Sequence, residues 1–237
     1  MLVPIPLLPE TSRRMEDTLA VDAQGLARRY GRRWALAEVS LQVPQGRVVM
    51  VAGRNGSGKS TLFRVLATAI RPDRGSATIL GFDLVKQRYD VRREVALLSH
   101  YSYLYESLTA EENLRVAAEH RGISTKGLRD LLDRVRLGQR ANDEVSTFSA
   151  GMRKRLSFAR VLLQRPRVVL LDEPYGQLDP EGFALVDEVV NELKEVGVTI
   201  LMATHQIERG GRLADDAIVL EQGRVSWRGA AKECPSC

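Results

Sequence analysis

Two short segments of this 237-residue chain carry residue types that handle phosphate. The first is Gly53-Arg54-Asn55-Gly56-Ser57-Gly58-Lys59-Ser60-Thr61, which fits the pattern G-x-x-x-x-G-K-[ST]. Glycines let backbone N–H groups converge on phosphate oxygens without Cβ clashes. A helix opening at Lys59 adds the partial positive charge of its N-terminus. Lys59 has the reach to meet β- and γ-phosphates, and the Ser60 hydroxyl suits Mg2+. The second segment is Asp172-Glu173, where the apolar run Val168–Leu171 ends. Asp172 suits Mg2+ or its bound water. Glu173, the next residue, points elsewhere and suits the orientation and deprotonation of an attacking water.

Both segments need rigid supports, and the pattern around them supplies these. Residues 47–52 read as a buried strand and 59–70 as an amphipathic helix stopped by Arg71-Pro72-Asp73-Arg74-Gly75. Residues 18–23 and 34–43 alternate apolar and polar positions, as half-buried antiparallel strands do. Further strands are expected at 76–81, 94–99, 167–174 and 198–205, and a terminal hairpin at 217–227. Helices are expected after residue 81, at 108–120 capped by Thr109, at 124–136 capped by Ser124, at 150–164 and at 180–195. Strands alternating with helices from residue 47 onward imply a parallel sheet with helical crossovers. Residues 100–164 lack a clear strand and are expected to form a helical lobe.

Composition narrows the class. Hydrophobic residues make up 44% and charged residues 27%, the balance of a globular domain. No apolar run approaches the roughly 18 residues of a membrane span, so the chain itself is not a channel or permease. The net charge of +5 is spread along the sequence, and no nucleic acid partner is expected. The only cysteines, Cys234 and Cys237, exclude a disulfide framework and fit a reduced, cytoplasmic setting. Their C-x-x-C spacing lacks the helix start that activates a thiol, so the Cys-Pro-Ser-Cys stretch is expected to be frayed, within a C-terminal tail over 231–237. Residues 1–16 hold Pro4, Pro6 and Pro9 with no basic flank before the apolar stretch. They are expected to be a disordered extension rather than a signal peptide, unless the natural start is Met15.

Further motifs carry a family resemblance. Phe148-Ser149-Ala150-Gly151-Met152 precedes a helix about twenty residues before Asp172 and resembles the signature motif of ABC ATPases. Gly176-Gln177-Leu178-Asp179 resembles their D-loop, and Tyr30 stands where they have an aromatic residue that stacks on adenine. His205 follows an apolar strand, as their switch histidine does. The resemblance covers about residues 18–230. It implies an α/β fold of P-loop NTPase type: a mixed parallel core sheet, an antiparallel β subdomain and a helical signature subdomain at about 100–164. It also implies a single nucleotide-binding domain over 17–230, using ATP and Mg2+. Two such chains would pair head to tail. Each ATP would lie between the phosphate loop of one chain and Ser149, Ala150 and Gly151 of the other. Lys59, Glu173 and His205 would serve hydrolysis, with His205 meeting the γ-phosphate, and Asp179 would couple the two sites. The dimer would sit on the cytoplasmic face of the cell membrane and drive an integral membrane permease subunit.

Departures from the family pattern point to a subfamily. Position 100, nine residues before Thr109, holds His instead of the usual Gln, so its contact with Mg2+ is in question. The signature has Ala150 for Gly and Met152 for Gln. The segment around His100, the run Gly151–Leu156 (GMRKRL) and Ala203-Thr204-His205-Gln206 are similar to the haem-exporter ATPases of cytochrome c maturation. The alternatives are another exporter ATPase, for a drug, an ion or a polysaccharide, and a soluble ABC ATPase of iron–sulfur assembly type. Tyr101, Tyr103 and Tyr105 lie where the family meets its membrane subunit; they either dock that partner or pack the helical lobe.

Overall fold

The computed structural model describes residues 18–235. The expected extension over 1–16, and Cys237, lie outside the described residues. In chain order the first elements are β1 (Leu19–Tyr30), β2 (Arg33–Pro44), β3 (Val48–Ala52), α1 (Lys59–Leu66), β4 (Arg74–Ile79), β5 (Phe82–Asp83) and α2 (Arg88–Glu94). Next come β6 (Val95–Leu98), α3 (Ala110–His120), α4 (Leu128–Arg134), α5 (Ala150–Leu163), β7 (Val168–Asp172) and α6 (Pro180–Glu195). The last are β8 (Thr199–Ala203), α7 (Ile207–Leu213), β9 (Asp216–Glu221) and β10 (Arg224–Ala230).

Two sheets form. The core sheet has the order β10-β9-β3-β8-β7-β6, parallel throughout except for the β9–β10 hairpin. Every residue of β3, β7 and β8 is buried, because helices or the second sheet cover both faces. The second sheet, β2-β1-β4-β5, is antiparallel. One apolar cluster joins β3, α1 and this second sheet through Val51, Leu62, Phe63 and Leu26. The other joins the opposite face of the core sheet to α3, α4, α5 and α6 through Leu114, Leu132, Phe158 and Val186. Phe63 and Phe158 are fully buried, each contributing about 1.5–3 kcal/mol relative to an exposed ring.

Three expectations need correction. The first strand does not stop at residue 23: β1 continues to Tyr30 through register shifts after Ala23 and Leu26 that absorb Gly25, which sits at φ 59°. The helix expected over 124–136 starts only at Leu128, because Gly127 adopts φ 80° and breaks the turn before it. Ser124 does not cap it; its hydroxyl accepts from the Lys126 N–H. The helix over 59–70 ends at Leu66, where Thr68 turns to φ 55°. Ala231–Glu233 form a single 3-10 turn, and Ala231 is buried against Met50 and Ala217. Helix α7, absent from the sequence reading, lies on Thr204 and Met50 at Gly210, where a Cβ would meet their atoms at 2.8 and 2.9 Å.

Candidate nucleotide site

The phosphate loop leaves β3 and enters α1, as its chemistry requires. Gly53 and Gly58 adopt φ 139° and 113°, and a Cβ on them would fall 2.3 Å from the Leu220 carbonyl oxygen and 2.4 Å from that of Ala35. Only glycine fits there, because β9 and β2 press against the loop. The Gly223 N–H donates to the Ser57 carbonyl at 2.9 Å, and the Ala37 N–H to the Gly223 carbonyl at 2.7 Å. The loop is thus stitched to both sheets. Lys59 is buried, and its Nζ donates to the carbonyls of Gly53 at 2.6 Å and Arg54 at 3.2 Å. The Ser57 hydroxyl is buried with no hydrogen-bond partner. Arg54, Asn55, Gly56 and Ser60 are exposed, and Thr61 is partly so.

The carboxylates stand beside this loop. Asp172 closes β7 and is paired in register with Ala203 of β8. It is buried, and its Oδ1 has no hydrogen-bond partner, which is costly for a carboxylate oxygen unless a cation or donor arrives. Glu173 takes φ 51°, a left-handed conformation rare outside glycine, and is tied by its N–H to the Ala203 carbonyl at 2.8 Å. Its Oε2 accepts from the His205 N–H at 3.3 Å, and the His205 Nε2 lies 3.2 Å from its Oε1. An open pocket of about 520 Å3 is lined by Gly53, Arg54, Asn55, His205 and Ile207. The fold therefore brings the phosphate loop, the β7 carboxylates and His205 to one end of the core sheet, at the C-terminal ends of its strands.

A Mg2+ ion fits these donors. Ser60 and the unpartnered Asp172 oxygen are hard oxygen ligands. Among the described residues no group of three or more His, Cys, Asp or Glu side chains converges.

Other expected residues lie apart from this pocket. Tyr30 ends β1 with its ring about half exposed and the Arg28 guanidinium 5.3 Å from its centre. Ser149 caps α5, accepting from the Met152 N–H at 3.2 Å. Ser149, Ala150 and Gly151 do not line the pocket. Asp179 caps α6 through the Gly182 N–H at 2.8 Å and pairs with Arg155 of α5 at 2.9 Å. That N–H first, then the Arg155 guanidinium, holds its carboxyl below the usual range. His100 is exposed, its ring edge-on to Tyr101, and it does not line the pocket either. Tyr101, Tyr103 and Tyr105 are 67%, 65% and 58% exposed, which excludes packing inside the helical lobe. Their backbone is pinned: Arg160 donates to the carbonyls of Ser102 and Tyr103, and the Asn113 amide bonds both backbone groups of Tyr105.

Sequence reasoning missed Lys154. It lies on the buried face of α5, and burial pushes its pKa down to about 8, opposed by the charges of Asp172 and Glu173. A lysine amid the apolar positions Leu156, Phe158 and Val161 of a helix was the available signal.

Residues 36–176 match the ABC transporter family. The daunorubicin resistance ATP-binding protein DrrA3 of Streptomyces coeruleorubidus is 39% identical over 92% of this chain and 70% of its own length. The Nod factor export ATP-binding protein I of Mesorhizobium japonicum is 36% identical over 88% of this chain and 62% of its own length. Among solved structures, a dimeric ATP-binding cassette in a post-hydrolysis state with ADP and Pi superposes with a TM-score of 0.81. It is 25% identical, covering 89% of this chain and 98% of that one. The chain belongs to the ABC transporter family, as an ATP-binding subunit that takes ATP with Mg2+ and is of the kind that dimerises and pairs with membrane permease subunits.

Proposed function

We propose that this chain is the ATP-hydrolysing subunit of an exporter of drug-like amphipathic compounds. The observation that carries this reading is the 39% identity to a daunorubicin resistance ATPase across nearly the whole chain. Haem export, expected from short motifs, finds no support among these relatives, and neither does iron–sulfur assembly. Those motifs lie around the nucleotide site and the lobe, whereas cargo is chosen by the membrane subunit, so they report poorly on substrate. Among the described residues no helix is long and apolar enough to cross a membrane, so the path for cargo belongs to a partner. We assign the docking face for that partner to Tyr101, Tyr103 and Tyr105, supported by their exposure, with the chain on the cytoplasmic face of the cell membrane.

The roles follow from chemistry. Tyr30 stacks on the adenine. The N–H groups of residues 53–61 and the Lys59 ammonium bind the phosphates, while Ser60 and Asp172 hold Mg2+. The ion supplies charge neutralisation to the phosphates when bound. Glu173 orients water and accepts its proton, and His205 contacts the γ-phosphate. Ser149, Ala150 and Gly151 stand outside the pocket of their own chain, as expected of groups that complete a second copy's site, with Asp179 coupling the two. We assign His100 no role at the ion.

The test is the ATPase rate of the chain purified with its membrane subunit, in lipid, with daunorubicin or haem added. Stimulation by daunorubicin and not by haem is expected. The opposite result overturns the drug-export reading and restores haem export.

A further inference from the structure

Glu173 and His205 touch each other in this structure, yet both are assigned to one bound nucleotide. Hydrolysis therefore depends on how the two segments that carry them are held apart. The strand ladder ends at the Asp172 and Ala203 pair, and the Glu173 N–H adds one more bond, to the Ala203 carbonyl at 2.8 Å. Beyond these bonds the two chain segments are joined again through α6.

Tyr175, two residues after Glu173, is buried, and its hydroxyl donates to Asp187 Oδ1 on α6 at 2.7 Å. Arg209, one helical turn after His205, donates to Asp187 Oδ2 at 2.6 Å. One carboxylate therefore holds both segments. The Arg209 guanidinium also lies 5.7 Å from the Tyr175 ring centre and 5.1 Å from that of Phe183, and these rings meet edge-on at 5.6 Å. A half-exposed Arg–Asp pair by itself contributes little. A buried phenol that must be satisfied, a shared acceptor and two ring faces together define one geometry. Helix α6 is tied to the far end of α7 as well: Lys194, two turns beyond Asp187, bonds Asp215 at 2.6 Å and reaches the Leu213 carbonyl at 3.5 Å.

We propose that Tyr175, Asp187 and Arg209 form a positioning unit that sets the separation of Glu173 from His205, with α6 as its rigid support. None of the three lines the pocket beside the phosphate loop. The inference rests on the assignment of Glu173 and His205 to hydrolysis. Loss of the unit leaves nucleotide binding intact and misplaces the groups that act on the γ-phosphate.

The experiment measures ATP hydrolysis by the full chain with its membrane subunit. Arg209→Ala is expected to lower kcat by roughly tenfold to a hundredfold, as small misplacements do. The KM for ATP should stay within about twofold, because ground-state binding is untouched. Arg209→Lys, which keeps the ion pair, should recover part of the loss. In a His205→Ala background Arg209→Ala should add little, since both changes act on one element. Equal changes in KM and kcat, no recovery by Lys, or full additivity with His205→Ala would each overturn the proposal. Should Arg209→Ala fail to fold, Tyr175→Phe, which removes one hydroxyl, carries the same kcat and KM comparison. Glu173→Gln separates the two levels. If it is inactive while Arg209→Ala is fully active, the positioning unit alone falls; if it stays active, the assignment of Glu173 and the unit fall together.

Discussion

Replacing Lys154 by Met tests whether a buried cation stands in the field of Asp172 and Glu173. Lys154 is 8% exposed, and its pKa is lowered from 10.5 to about 8. The folded chain therefore sheds its proton at lower pH than the unfolded chain does. Between those two values the unfolded state holds one more proton, so this group makes stability rise with pH. The slope is about 1.4 kcal/mol per pH unit, giving roughly 2 kcal/mol between pH 8 and pH 9.5. Below pH 8 both states are protonated and the charge is a constant cost. Urea unfolding followed by circular dichroism, from pH 7 to 9.5 with EDTA, measures this directly. Taking wild type minus Lys154→Met at each pH cancels the other titrating groups to first order. The difference should be flat up to about pH 7.5 and then rise in favour of wild type by about 2 kcal/mol. A difference independent of pH, or one that falls, would refute the placement of the ammonium in a desolvated site.

Three further outcomes are expected. Glu173→Gln should lower ATP hydrolysis by roughly a hundredfold or more while ATP binding and ATP-dependent dimerisation persist, read by phosphate release and gel filtration. Thr109→Ala should cost about 1 kcal/mol in urea unfolding, because the Thr109 hydroxyl and the Glu112 carboxylate form a reciprocal cap at the start of α3. Asp215→Asn should cost about 1.5–3 kcal/mol at neutral pH, the range for hydrogen bonds to a charged group. Burial raises the Asp215 pKa, but Lys194 and the Val48 N–H outweigh that and hold it below 3.8. Its contribution is therefore present above pH 4 and lost as the pH falls through the lowered pKa of the folded state; the gap between variant and wild type should narrow as acid is added, measured by the same unfolding assay.

The phosphate loop, its flanking strand and helix, and the Asp172-Glu173 pair were legible because each is a local pattern with one structural solution. The near-continuous apolar runs of β3, β7 and β8 likewise announce a sheet covered on both faces. Contacts between distant segments were not legible. Lys154 meets the field of Asp172, and Arg155 meets Asp179, only because α5 packs beside the β7 end. Helix α7 escaped notice because its seven residues include Gly210 and Gly211 and carry no clear apolar period. Ser124 looked like a cap, but Gly127 three residues later decides where α4 begins. The subfamily motifs misled for a different reason: they belong to the nucleotide machinery, which exporters of unlike cargo have in common.

The stitching of the phosphate loop to Leu220 and Gly223 has a consequence for how the protein is made. Residues 53–58 leave the ribosome early, but the strand and turn that hold them in shape are more than 160 positions further along the chain. Until β9 and its turn emerge, a nascent chain has the loop sequence without its binding geometry.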